Sequence, residues 1–222
     1  MILAVTGGKG GVGKSTVAYA LGHHLDAVVV DADLGMADLP SARGPDLHDV
    51  LAGRATAPEA VREDGPVDLL PCGRSLRGAR AADPRRLVDA LGAVEREYGR
   101  VVVDCAAGLG SDVGLPLLAA DACVVVTTPD EVALVDAVRT RALARELDAG
   151  LAAVALNRVR EESPTERVER LFGAPVVAIP AAASVPRSTA AGLPAGTRSG
   201  QVREAVGALA ARVQSSSSRS ST

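Results

Sequence analysis

The stretch "GGKGGVGKST", residues 7 to 16, decides how this chain is read. It follows a strand-like run, Met1 to Thr6, and leads into a helix expected to begin near Lys14. Gly8 to Ser15 satisfies G-x-x-x-x-G-K-[ST], the phosphate loop, in the strand-to-helix context that the loop requires. Its glycines let backbone amides turn inward around phosphates, and the helix N-terminus adds positive potential. Lys14 is the residue to neutralise β and γ phosphate oxygens, and the Ser15 hydroxyl is the one to ligate Mg²⁺. The loop also holds the only two lysines, Lys9 and Lys14, of a chain whose 24 Lys plus Arg are otherwise arginine. Arginine serves well as a solvated cation, so both lysines are expected where a compact ammonium on a narrow stem is needed. The pattern accounts for Lys14 and leaves Lys9 unexplained.

At 222 residues the chain suits one sizeable α/β domain. Hydrophobic residues make up 47% but aromatics only 1%, so the core must be built of Ala, Val, Leu and Ile. A formal net charge of -3 gives no global attraction to nucleic acid or anionic lipid. Cys72, Cys105 and Cys123 form no C-x-x-C pair and leave an odd count, which fits a reducing, cytoplasmic setting. No secretory signal is read at Met1, and no apolar run approaches the roughly 18 residues of a membrane span.

Short Val-rich runs at 2–5, 27–30, 67–70, 101–103, 122–127, 151–156 and 176–179 read as buried strands. Amphipathic stretches alternate with them. In Pro84 to Tyr98 the expected core face is Leu87, Val88, Leu91 and Val94; in Glu131 to Leu147 it is Val132, Val135, Val138 and Leu143. Alternation predicts a single-domain, mostly parallel twisted sheet with helices on both faces, of the phosphate-loop NTPase type, over residues 1–213. Residues 214–222, "QSSSSRSST" from Gln214, read as a disordered Ser-rich tail. In such sheets ligands sit outside the carboxyl ends of the strands, so the motifs there converge on one crevice.

Acidic turns follow two of those strands. "VVVDADLG" sets Asp31 and Asp33 on the same side of the chain by alternation, and carboxylates beside a polyphosphate call for a cation between them. "RVVVDCAAG" has the form of a strand ending in an aspartate, Asp104, that holds Mg²⁺ through water. The chain's sole asparagine, Asn157, closes "LAAVALN", where an amide can both donate to and accept from a purine edge. The N-K-x-D pattern that reads guanine is absent, so ATP is expected rather than GTP.

"KGGVGKST" resembles the deviant phosphate-loop ATPases of the MinD/ParA group, and the resemblance runs to about Pro194 through "DADLGMADLP", "DLHDVLAG", "VVVDCAAG", "TTPDEVALVDAVRT" and "LNRV". It looks most like the MinD branch. It implies a cradle of Gly8, Lys9, Gly10, Gly11, Val12, Gly13, Lys14, Ser15 and Thr16, a homodimer bridged by ATP, and a Lys9 that reaches the partner's phosphates. It further implies that Asp33 positions the attacking water, that Asp31 supports the metal side with Ser15 and Asp104, and that Asn157, Arg158 and Pro180 lie at the adenine. Ala106, Ala107 and Gly108 depart from the usual Pro-Ala-Gly of MinD-like proteins.

The function implied is a slow, partner-stimulated ATPase that positions or recruits a partner, as in septum-site placement. Two readings compete. A ParA-like DNA-partitioning ATPase would use Arg74, Arg77, Arg80, Arg85 and Arg86 against the single Asp83; a metal-cluster carrier of the same superfamily would use Cys72 and Cys105. Membrane association at the inner face would need a C-terminal amphipathic helix. The last helical stretch, Gln201 to Val213, offers Val202, Ala205, Val206, Leu209 and Val213 with no aromatic and reads as core.

Overall fold

The computed structural model describes residues 1–34, 44–73, 75–160, 164–181 and 200–217. Among them seven strands form one sheet: β1 (Ile2–Thr6), β2 (Val28–Asp31), β3 (Leu69–Leu70), β4 (Val101–Asp104), β5 (Ala122–Thr127), β6 (Gly150–Val159) and β7 (Val176–Pro180). Their order is β3-β2-β4-β1-β5-β6-β7, and every pairing between them is parallel. The expected single-domain, mostly parallel sheet is therefore the fold. Successive residues of each strand feed opposite faces, as a period of two requires. Ile2, Ala4, Val28, Val30, Val101 and Val103 join one core. Leu3, Val5, Val29 and Val102 join the other.

Helices cover both cores. α1 (Lys14–Leu25) and α8 (Gly200–Ser217) pack on one face through Val17, Leu21, Leu25, Val206 and Leu209. On the other lie α2 (Leu47–Leu51), α4 (Leu87–Tyr98), α5 (Ser111–Ala119), α6 (Glu131–Glu146) and α7 (Thr165–Phe172), with Leu51, Leu91, Leu117, Ala137 and Phe172 inward. A six-residue helix, α3 (Leu76–Ala81), starts at Ser75, whose side chain accepts from the Gly78 N–H.

Two expectations change. In α6 the buried face is Ala133, Ala137, Thr140 and Ala144, while Val132 and Val135 are 62% and 52% exposed. Ala137 and Ala144 pack into the core with the strand residues, and Val138 and Leu143 of the expected face pack against it partly buried. The phosphate loop lies close against α6 at Asp136, where a β-carbon at Gly8 would lie 2.5 Å from the carbonyl oxygen. At the C-terminus α8 continues through Ser217, so Gln214–Ser217 are helical rather than tail; residues 218–222 lie outside the described residues.

The last helix is core, as its pattern suggests. Val202, Val206, Leu209 and Val213 are buried, and Ala205 packs against the same cluster. Each buried Val or Leu contributes about 1.5 to 3 kcal/mol. Peeling α8 off to present this face elsewhere would forfeit several such terms.

Candidate functional site

β1 sits at the point where the chain, having added β2, β3 and β4 on one side, begins adding β5 to β7 on the other. That switch point opens the crevice outside the carboxyl ends of the strands. The phosphate loop fills it. Gly13 caps α1 with φ 102°, a left-handed conformation that glycine adopts without a Cβ penalty. Lys14, the first residue of α1, is 8% exposed, and Ser15 and Thr16 follow half-buried.

Asp31 and Asp104 are register partners on the adjacent strands β2 and β4, at 0% and 1% exposure. Strand alternation turns both carboxylates to the face that carries α1: their predecessors Val30 and Val103 join the opposite core, and Val29 and Val102 join the α1 core. Two buried carboxylates side by side resist sharing negative charge, and a hard divalent cation relieves that. Among the described residues no three His, Cys, Asp or Glu side chains converge as a metal site. One or two carboxylates plus substrate phosphates is how Mg²⁺ is usually held, and these residues with Ser15 fit it.

Asp33 lies just past β2, and its N–H donates to Asp31 Oδ1 at 3.2 Å. The stretch "DADLGMADLP" continues into residues 35–43, which lie outside the described residues. The stretch after β4, Ala106 to Gly110, leads into α5 with Leu109 and Gly110 exposed.

Lys9 behaves differently from Lys14. Its side chain is 44% exposed, and Nζ donates to Asp130 Oδ1 at 3.2 Å. Asp130 is the N-cap of α6 and accepts from the Ala133 N–H at 3.0 Å and from the Thr128 hydroxyl. Those two bonds, ahead of Lys9, hold the Asp130 carboxyl down at about 2. Lys9 is thus the replaceable partner of an aspartate already satisfied.

Asn157 is tied to the loop. Nδ2 donates to the Val12 carbonyl at 2.7 Å and Oδ1 accepts from the Arg158 N–H at 2.9 Å. A β-carbon at Gly13 would come within 2.4 Å of that Nδ2, so the loop glycine is also what admits the amide. One N–H and one lone pair of the amide remain for a base. Arg158 has φ 60° at the point where the register of β6 against β7 shifts, which turns its side chain outward. Pro180 ends β7 opposite Val159. Most of "IPAAASVPRSTAAGLP", from residue 182, lies outside the described residues.

Sequence reasoning overlooked the Asn157–Val12 strut and the Lys9–Asp130 pair, although "TTPD" before an amphipathic stretch is an N-cap signal for Asp130. It also overlooked His48, discussed below. Of the basic stretch, Arg77, Arg80, Arg85 and Arg86 are exposed. Arg85 is bound to Asp83 through Nε and Nη2 at 2.9 Å each, and Arg74 lies outside the described residues. All three cysteines are buried free thiols. Burial raises Cys105 and takes Cys123 up to about 12, so these two are poorly suited as thiolate ligands.

Residues 3–195 match the CobQ/CobB/MinD/ParA nucleotide binding domain. The chain belongs to that family. It is 32% identical over 192 residues, 80% of the chain and 72% of the relative, to an uncharacterized ATP-binding protein of Methanocaldococcus jannaschii. It is 30% identical over 175 residues to the septum site-determining protein MinD of Synechocystis, covering 72% of this chain and 65% of that protein. The chain therefore spans about two thirds of that MinD. Among solved structures, Pyrococcus horikoshii MinD complexed with Mg-ADP superposes with a TM-score of 0.86 at 27% identity, over 97% of this chain and 96% of that one. The match places this sheet, its order of elements and its loop in the MinD/ParA fold. No described helix is long and apolar enough to cross a membrane.

Proposed function

We propose that this chain is a MinD-type switch ATPase, which binds ATP with Mg²⁺, dimerises on it and hydrolyses it slowly while positioning or recruiting a partner. The observation that carries the reading is the buried pair Asp31 and Asp104, set in register beside the N-terminus of α1 and its loop. A nucleotide pocket needs this arrangement: a cationic cradle for phosphate beside carboxylates for its metal. The likeness to MinD from Synechocystis and Pyrococcus horikoshii supports the finer role of spatial organiser.

In this reading the backbone amides of Gly10 to Lys14 receive the phosphates and Lys14 lies along their β and γ oxygens. Ser15, Asp31 and Asp104 would hold Mg²⁺, which would supply a Lewis acid to offset charge developing in transfer. Asp33 accepts a hydrogen bond from the attacking water and aligns it with the γ-phosphorus. Asn157 and Arg158 flank the base, with Pro180 behind. Lys9 leaves Asp130 and extends to the phosphates of a second subunit; releasing a surface ion pair costs about 1 kcal/mol or less.

The test is Asp33→Ala. Turnover should fall by roughly 100-fold or more while ATP binding and ATP-dependent dimerisation persist, because only the water-aligning group is removed. Turnover at the wild-type rate, or loss of nucleotide binding, contradicts the assignment. The DNA-partitioning alternative is checked by an ATP-dependent, salt-sensitive shift of duplex DNA. No such shift is expected.

A further inference from the structure

The residue proposed to align water is itself held from behind by a thiol. Cys72 follows β3, and its Sγ donates to the main-chain carbonyl of Asp33 at 3.2 Å. On its other side Sγ lies 3.4 Å from Nε2 of His48, in α2. Cys72 is 1% exposed and His48 3%. Three elements thus meet in a buried chain: α2, the exit of β3 and the exit of β2.

Proton assignment follows from the geometry. A thiol has one hydrogen, and given to the Asp33 carbonyl it cannot also go to His48. His48 Nε2 must then carry its own hydrogen toward sulfur, leaving Nδ1 as an unprotonated acceptor. Nδ1 is buried and has no hydrogen-bond partner among the described residues. Gly78 of α3 closes over it, since a β-carbon there would sit 3.3 Å away. Burial, then the nearby carboxylates of Asp31, Asp33 and Asp46, raises Cys72 far above an ordinary thiol, which keeps the donor hydrogen in place.

The rest of this region is tied together by hydrogen bonds. The N–H groups of Leu47 and His48 donate to the carbonyls of Pro71 and Cys72 at 2.9 and 3.3 Å, so α2 starts on the β3 exit. Asp46 and Asp49 close a capping box on the same helix. The Cys72 thiol joins this block to the Asp33 backbone.

We propose that Cys72 and His48 are positioning residues for hydrolysis: the thiol fixes the Asp33 carbonyl, and with it the direction of the Asp33 carboxylate, while His48 fixes the thiol. The proposal rests on the water-aligning role of Asp33 given above. It also makes α2 and α3 a place from which a bound partner can alter turnover, because a shift of His48 reaches Asp33 through one sulfur atom.

The experiment compares full-length Cys72→Ala, Cys72→Ser, His48→Leu and Asp33→Ala in steady-state ATP hydrolysis, with the infrared S–H stretch as an activity-independent readout. Cys72→Ala should lower kcat about tenfold with KM for ATP changed by less than about twofold, because misalignment affects the chemical step and leaves the phosphate cradle alone. Cys72→Ser should recover most of the loss, since a hydroxyl donates to the same carbonyl. His48→Leu should lower kcat severalfold. The band that disappears from the spectrum in Cys72→Ser should lie at the lowered frequency of a hydrogen-bonded thiol. Wild-type kcat in Cys72→Ala, a deficit that serine fails to recover, or a Cys72 band at the free-thiol frequency overturns the proposal. Should Cys72→Ala not fold, Cys72→Ser and the infrared band decide alone. Wild-type turnover in Asp33→Ala would instead remove the role of Asp33 and leave the hydrogen bond itself standing.

Discussion

Lys14 and Lys9 stand five positions apart on one loop and share nothing else. Lys14 opens a helix and is almost wholly enclosed; Lys9 stands half in solvent on a surface aspartate. The difference teaches that one loop can serve two kinds of contact. An enclosed ammonium is committed to its own chain, whereas one held by a surface pair with Asp130 can be withdrawn at little cost.

The largest effect should come from the committed lysine. Lys14→Ala should weaken ATP binding to the monomer by about 2 to 5 kcal/mol, on the order of thirtyfold or more in Kd by titration calorimetry. Affinity within a few-fold of wild type would erase the contrast. Lys9→Ala should bind nucleotide nearly normally yet form no dimer with a slowly hydrolysed ATP analogue, as measured by light scattering. A dimer of ordinary stability returns Lys9 to the surface cations. Lys9→Arg should also dimerise poorly, because a planar guanidinium is wider than an ammonium at a packed phosphate.

Asn157→Ala sharpens the comparison from the base side. Removing the Val12 strut should weaken ATP binding by about 1 kcal/mol through the loop. Competition titration of the unmodified protein should show ATP preferred over GTP. Equal affinities would leave Asn157 a strut alone.

The smallest effect belongs to the aspartate that parks Lys9. Asp130 is depressed when folded, so its contribution is complete above the ordinary value of 3.8 and is lost as pH falls through about 2. Asp130→Ala should lower Tm by roughly 2 to 4 °C through the lost N-cap at neutral pH. The gap from wild type should close as acid protonates Asp130 in the parent. A gap that widens toward pH 2 contradicts this.

Most of the sheet was legible because strands buried on both faces are Val-rich runs, and all seven match within a few residues. The phosphate loop and the strand-end aspartates were legible for a related reason: they are local patterns at strand ends. What local pattern misses is contact set by close packing or by distance along the chain. Val132 and Val135 are bulkier than Ala133 and Ala137 and look like the core face of α6, but it is the alanines that the helix turns into the core. Asn157 meets Val12, and Cys72 meets both His48 and Asp33, across separations that no periodicity encodes.

The place of β1 in the sheet has a consequence for how the protein is made. The strand that carries the nucleotide loop pairs only with β4 and β5, whose register begins at Val101 and Ala122. At ribosomal rates of about 5 to 20 residues per second, roughly 5 to 20 seconds pass before its first neighbour exists. During that interval the apolar run Ile2 to Val5 can be shielded only by collapse or by chaperones, and closing so long a loop carries an entropy cost that slows the search. Folding of this chain is therefore a late, centre-outward event, in which β2 and β3, though complete early, wait for β4 to join them to β1.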